Sequence, residues 1–239
     1  MGLTTICDRR IRVTHPILAR LLAEKPFLKV IAGIENFNAA EIQTVAQAAQ
    51  GQASSIDLSV HPESIAWVKA HTDLTVFVSS LSPAELEASL EWGTDFVELG
   101  NFAPIYERGA LISPEMVMEW THDLTARIQG RVPVCVTVPG VLGLEEQIEL
   151  ARQLEAAGAD LLQIENITGD ISHVAPIRAA VNIPVMVSGK LHAGNVQAAV
   201  ATGAEGIGIG AAIRAGADLD GMKAVLAEIS SQMHANILR

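Results

Sequence analysis

Apolar positions along this chain fall into short runs that recur in two alternating forms. Leu74-Thr-Val-Phe-Val-Ser79, Val132-Pro-Val-Cys-Val-Thr137 and Ile183-Pro-Val-Met-Val-Ser188 are one form, each closing on a hydroxyl. Trp92-Gly-Thr-Asp-Phe-Val-Glu-Leu-Gly-Asn101, Ala157-Gly-Ala-Asp-Leu-Leu-Gln-Ile-Glu-Asn166 and Thr202-Gly-Ala-Glu-Gly-Ile-Gly-Ile-Gly-Ala211 are the other. In this second form a helix-stopping glycine, a small residue and an acid precede a short strand. Strands alternating with helices in repeating pairs are the signature of a parallel barrel. The pattern predicts eight strands, at 27–34, 55–60, 74–79, 95–100, 133–138, 160–165, 183–188 and 205–210. Helices are expected between them, among them 39–50, 143–157 and 194–201, with Ser82-Pro83 and Ser113-Pro114 as start signals. A short helix at 15–23 would cover the barrel floor. The prediction is a single (β/α)8 TIM barrel spanning 1–239, with 1–26 as N-terminal segment and floor helix and 27–239 as the barrel.

Strand parity separates two sets of side chains, because alternate residues point to opposite faces. Ile56/Leu58, Val76/Val78, Val97/Leu99, Val134/Val136, Leu162/Ile164, Val185/Val187 and Ile207/Ile209 are uniformly apolar and should face the helices. The complementary set faces the axis: Gly33/Glu35, Asp57/Ser59, Phe77/Ser79, Glu98/Gly100, Cys135/Thr137, Gln163/Glu165, Met186/Ser188 and Gly208/Gly210. Its polar members gather toward the strands' C-terminal ends. A barrel packed for stability alone would carry Val, Ile and Leu there, and unpartnered buried carboxylates cost several kcal/mol each. A wet, ligand-accepting pocket at the top face is the economical reading.

The anion signature is the sharpest chemical clue. Strand seven runs into Ser188-Gly189-Lys190, and strand eight into Gly206-Ile-Gly-Ile-Gly210 with a short helix from Ala211. Loops after strands seven and eight form the recurrent phosphate site of such barrels. Ser188, Gly189, Gly208, Gly210 and Ala211 are therefore the candidate phosphate-binding residues, with tight packing as the competing explanation of the glycines. Lys190 is either a counter-charge, a Schiff-base amine or an exposed loop lysine. Lys29 lies on the inward parity near the floor, where a structural ion pair is expected. Asp57, Glu98 and Glu165 are candidate catalytic acids, with Lys190 beside them. Glu35, Asn36, Ser79, Asn101 and Thr137 complete the pocket. The carboxylates fit three roles: an acid/base pair, a Mg2+ site or a solvated polar plug. The histidines show no metal-ligand spacing, and no serine nucleophile elbow is present.

Composition narrows the partners. A formal net charge of -11 disfavours nucleic acid, and no apolar run reaches the ~18 residues of a membrane helix. Two cysteines, Cys7 and Cys135, without metal spacing suit a reducing, cytoplasmic setting. A phosphorylated small molecule is the expected ligand, and association into a homo-oligomer through outer helices is open. No cofactor is required by the pattern. Flavin mononucleotide (FMN) is a weaker reading, because none of the three tryptophans is placed to stack on it.

Leu28-Lys-Val-Ile-Ala-Gly-Ile-Glu-Asn-Phe37, Glu98-Leu-Gly-Asn-Phe102, Val136-Thr-Val-Pro139 and Leu144-Glu-Glu-Gln-Ile-Glu-Leu150 resemble an uncharacterised barrel family of cyanobacteria and algal plastids, described as a hypothetical plastid reading frame. The resemblance covers nearly the whole chain from Phe27 onward. It implies an aldolase-type barrel of the ribulose-phosphate-binding class, with no established reaction. It associates Asp57, Glu98, Asn101, Thr137, Glu165, Ser188, Gly189, Gly208 and Gly210 with the top face. The chain departs from the resemblance in a shorter loop at 166–170 and in Glu35, where a non-acidic residue is expected. The activity expected is that of a lyase, isomerase or synthase acting beside a carbonyl, with Asp57 and Glu98 moving protons. The alternative is a non-catalytic phosphometabolite sensor.

Overall fold

The computed structural model describes residues 11–13, 15–24, 26–100 and 102–235. Asn101, one of the expected pocket residues, lies outside them, as does Cys7. Eight parallel strands close on themselves in chain order. They are β1 (Phe27–Gly33), β2 (Ser55–Ser59), β3 (Thr75–Ser80), β4 (Phe96–Leu99), β5 (Val134–Val138), β6 (Leu161–Glu165), β7 (Val185–Ser188) and β8 (Gly206–Ile209). Every expected strand is present, trimmed by a residue or two at its ends except β3, which is shifted by one residue. A helix follows each strand; β4 is followed by a short one at Ala103–Glu107 and a long one at Pro114–Ile128, and β8 by a short one at Ala211–Arg214 and a long one at Leu219–His234. The protein is a (β/α)8 barrel.

The repeated acid has a structural purpose. Asp95, Asp160 and Glu205 each stand just before an even-numbered strand. Their carboxylates accept the backbone N–H of Val76, Val134 and Val185, each at 2.9 Å. The same three residues donate their own N–H to the carbonyls of Val76, Val134 and Val185. Each acid therefore ties the start of one strand to its predecessor from both sides. Lys69 and Arg178 neutralise two of them, Asp95 at 2.7 Å and Glu205 at 2.9 Å. β2 lacks the device and is preceded by Ser54, whose backbone alone bridges β1 and β3.

The apolar parity set packs outward, with all fourteen members in the large core between sheet and helices. Inside the barrel the side chains form tiers. The lowest is apolar: Phe27, Phe77, Phe96, Cys135, Leu161 and Met186 meet Leu18, Leu21 and Leu22 of the N-terminal helix Pro16–Leu22, which closes the floor. Phe77 and Phe96 stack with centroids 4.2 Å apart. Above them sits a polar tier of Lys29, Asp57, Ser79, Glu98, Thr137 and Gln163, all buried.

β1 departs from the expected pattern near its end. The pairing with β2 slips between Ile31 and Gly33, where an extra residue is accommodated as a bulge. The strand stops at Gly33, and Glu35 turns out to the rim instead of continuing the inward file. Its carboxylate pairs with Arg108 at 2.7 Å, and both side chains are more than half exposed.

Glu205→Ala is expected to destabilise the fold by about 2–4 kcal/mol, because it strands the Val185 N–H and leaves the mostly buried Arg178 unpaired. Asp95→Ala should cost less, since Lys69 is one-third exposed and can rehydrate. Urea denaturation midpoints of the two variants test the ordering. Equal losses would contradict it.

Candidate functional site

The loops at the C-terminal ends of β6, β7 and β8 are stitched together by backbone constraints. After β7 the chain turns through Gly189 (φ 100°) and Lys190 (φ 52°), both left-handed. A side chain at Gly189 would run into the Asn166 carbonyl. Asn166 in turn donates its amide to the Gly189 carbonyl at 2.9 Å, and its N–H to Ser188 at 2.8 Å. Lys190 accepts a left-handed conformation that is uncommon for a side-chain-bearing residue; its carbonyl is held by Asn195 at 3.0 Å. His192 serves the same loop, accepting the Gly194 N–H at 3.1 Å.

The glycines of β8 divide by cause. A Cβ at Gly208 would lie 2.7 Å from the Ser188 Cβ, so close packing alone requires glycine there. Gly210 meets nothing closer than 3.4 Å and has φ -123°, so neither packing nor backbone demands it. It introduces the four-residue helix Ala211–Arg214, whose first N–H groups have no intrahelical acceptor. Arg214 reaches back across the mouth, donating from Nη1 to the carbonyls of Ile31 (3.2 Å) and Ala32 (3.3 Å) exposed by the β1 bulge.

These elements border a cavity of about 880 Å³ at the C-terminal face. Of the expected site residues, Glu35, Asn36, Glu165, Ser188, Gly189, Lys190, Gly208, Gly210 and Ala211 line it. Its lining carries both signs. Lys190 follows β7, and Arg214 reaches from the helix after β8 to the β1 carbonyls; the acids are Glu35 and Glu41 after β1, Glu107 in the short helix after β4, and Glu165 at the end of β6. Glu165 is the most buried of these, at 6% exposure. It accepts the Gly140 N–H at 3.0 Å. Burial raises its pKa from the usual glutamate value, and the hydrogen bond from Gly140 opposes that rise. Tyr106 lines the cavity from the helix after β4. Its buried hydroxyl meets no partner at hydrogen-bond geometry. Burial raises the phenol pKa, and the nearby Glu165 charge raises it further.

Asp57, Glu98, Ser79 and Thr137 do not reach the cavity; they belong to the polar tier beneath it. Lys29 Nζ lies 2.5 Å from Glu98 Oε2, with both side chains fully buried, and 4.8 Å from the Phe77 ring centre. The ion pair expected of Lys29 is thus present, and its partner is one of the two acids expected to face the ligand. Ser79 donates to Asp57 Oδ1 at 2.5 Å, while Asp57 Oδ2 has no partner. Burial depresses the Lys29 pKa, but Glu98 and Asp57 more than offset it, and the ammonium is held above its ordinary value. Asp57 is pushed up to about 7 by burial, against the pull of Lys29 and with a further push from Glu98. The Lys29 ammonium is the cation that pairs with Glu98 and acts on the Asp57 charge. Among the described residues no group of three or more His, Cys, Asp or Glu is placed to hold a metal ion.

Gln163, on β6, connects the two levels. It lines the cavity floor. Below, its Nε2 donates to Glu98 Oε1 at 2.7 Å and to Thr137 Oγ1 at 3.2 Å. Sequence reasoning placed Gln163 on the inward file without giving it a role, and it missed Arg214 and Tyr106. Two signals were available: Arg214 ends the short helix after β8, and Tyr106 is the one tyrosine of the chain.

Residues 14–239 match the family described as "Protein of unknown function (DUF561)". The chain belongs to that family. A DUF561 relative, "Uncharacterized protein ycf23" of Cyanophora paradoxa, is 31% identical over 231 residues, covering 89% of this chain and 95% of the relative. Among solved structures, 3-hexulose-6-phosphate synthase from Salmonella typhimurium superposes with a TM-score of 0.68 at 15% identity, covering 87% of this chain and 99% of that one. Thiamine phosphate pyrophosphorylase from Pyrococcus furiosus gives 0.62 at 18% identity, covering 90% and 98%. At these identities the DUF561 chain shares their fold. Among the described residues no helix is long and apolar enough to cross a membrane.

The Asp57 carboxyl yields a pH prediction. Its folded pKa stands above the unfolded value of 3.8, so folding takes up a proton. The resulting stability is complete below pH ~4 and is lost as pH rises through about 7. Asp57→Asn removes this dependence. Relative to the variant, the wild type should lose on the order of 1–4 kcal/mol between pH 5 and 8 in urea unfolding. Parallel pH profiles would show that Asp57 folds ionised.

Proposed function

We propose that this DUF561 protein is an enzyme that binds a phosphorylated small molecule at the C-terminal face and moves a proton beside its carbonyl group. The cavity over the ends of β6, β7 and β8 carries the proposal. Lys190 and Arg214, with the N–H groups near Gly189, Gly210 and Ala211, form a basic, donor-rich end. Glu165, one strand away and desolvated, supplies an acid or base near the middle. A phosphate seated at the basic end directs the rest of the ligand along the Glu165 side. Glu165 and Ser188 are register partners on β6 and β7, so the carboxylate and the turn into Gly189 are neighbours at the strand ends. Fold neighbours whose names specify phosphate-bearing compounds, hexulose 6-phosphate and thiamine phosphate, support the ligand class.

The reaction class is lyase, isomerase or synthase. Glu165 removes or returns the proton, and the Tyr106 hydroxyl beside it is suited to donate to a developing oxyanion. Asp57 and Glu98 act from below, setting the charge on which the cavity floor rests. A second reading, a non-catalytic sensor of the same ligand, draws on one observation: Glu98 is tied up by Lys29 and Asp57 is buried beneath the cavity, leaving Glu165 as the chief proton carrier inside it.

Lys190→Ala with Arg214→Ala should weaken inorganic phosphate binding at least tenfold in equilibrium titration. Glu165→Gln should leave that binding within about twofold. A panel of ketose phosphates incubated in D2O then separates the readings. An enzyme incorporates deuterium next to the carbonyl and loses this activity in Glu165→Gln, whereas a sensor binds without exchange. Unchanged phosphate affinity in the double variant would remove the anion site from consideration.

A further inference from the structure

Gln163 carries an inference that rests on the phosphorylated-ligand reading and narrows it. Its amide has two ends with opposite demands. Nε2 donates to a carboxylate oxygen of Glu98 and to the Thr137 hydroxyl. Oε1 is buried and has no partner. The side chain lines the cavity floor and is 2% exposed.

The orientation is imposed from below. Glu98 is an ion-paired carboxylate, accepting from Lys29 on its other oxygen. Reversing the Gln163 amide would set oxygen against oxygen, so the NH2 must face Glu98 and the carbonyl must take the remaining direction. An amide that in solution offers a donor or an acceptor is thereby fixed as an acceptor. A buried acceptor left empty is costly, and a site built around one discriminates strongly for ligands that fill it.

We infer that Gln163 is a specificity-determining residue that selects ligands carrying a hydroxyl donor deep in the cavity. The ligand class is therefore a phosphate ester that also carries hydroxyl groups. An apolar or aromatic phosphate would leave the acceptor unfilled.

Two probes of equal length separate the hydroxyl from the anion: D-ribitol 5-phosphate and n-pentyl phosphate, titrated calorimetrically into the full chain. The wild type should prefer the ribitol ester by roughly tenfold or more. Gln163→Met keeps the side-chain volume and removes the acceptor. It should reduce that preference to within about twofold while leaving n-pentyl phosphate affinity unchanged. Thr137→Val, which frees one of the two restraints on the amide, should reduce the preference part-way; it supplies the same readout if Gln163→Met fails to fold. Inorganic phosphate serves as the reference for the anion site. If it binds but the wild type takes both esters equally, or if the variants keep the full preference, the Gln163 assignment is overturned while the phosphate reading stands. If neither inorganic phosphate nor either ester binds, the underlying reading falls and this inference falls with it.

Discussion

The buried pair of Lys29 and Glu98 is the interaction on which the interior of this barrel depends. Two charges removed from water repay their desolvation only when geometry is close and remaining lone pairs are satisfied. Here the geometry is a 2.5 Å contact, and the second Glu98 oxygen is taken by Gln163. Breaking one member would strand the other in the barrel. The pair also sets the state of its neighbours. Burial, with the Glu98 charge beside it, keeps the proton on Asp57 toward neutral pH against the pull of Lys29, and the orientation of Gln163 follows from its bond to the ion-paired Glu98. A set of side chains from β1 to β6 thus behaves as one polar unit.

That unit divides the barrel into a dry floor and an open top. Below it, aromatic and aliphatic side chains pack against the N-terminal helix as a conventional core. Above it, the β1 bulge and the turns after β7 and β8 keep backbone and basic side chains directed at the mouth. Arg214 links these features by binding the carbonyls that the bulge exposes. The same strand irregularity that removes Glu35 from the barrel interior therefore helps place a cation at the rim. The division of labour resembles other barrels, in which the C-terminal face holds the chemistry and the opposite end holds the fold.

Much of this was legible in the chain itself. Period-two alternation identified eight strands and sorted inward from outward residues, because closure of a parallel barrel gives parity a single meaning. The recurrent acids were visible as a repeat, but their use as backbone ties was not, since it depends on strand register. Depth was legible in part. Asp57 and Glu98 read as mid-strand and Glu165 as one layer higher, and only Glu165 meets the cavity. Gln163 was an unremarked polar residue of the inward file, and its importance comes from its contacts with Glu98 and Thr137. Gly208 was read for anion binding, and contact with Ser188 gives it an independent packing reason that a single sequence does not reveal.

The proposed site holds an anion at the ends of β7 and β8 above a polar floor whose hydrogen-bond directions are set by Lys29 and Glu98. A crystal structure of the protein with bound D-ribitol 5-phosphate tests it most directly. The phosphate is expected within hydrogen-bond reach of the Gly189 and Ala211 N–H groups, with the polyol chain descending past Glu165 and a hydroxyl meeting Gln163 Oε1. A phosphate seated elsewhere, such as on the rim pair Arg108 and Glu35, or a cavity left without ligand at saturating concentration, would contradict it.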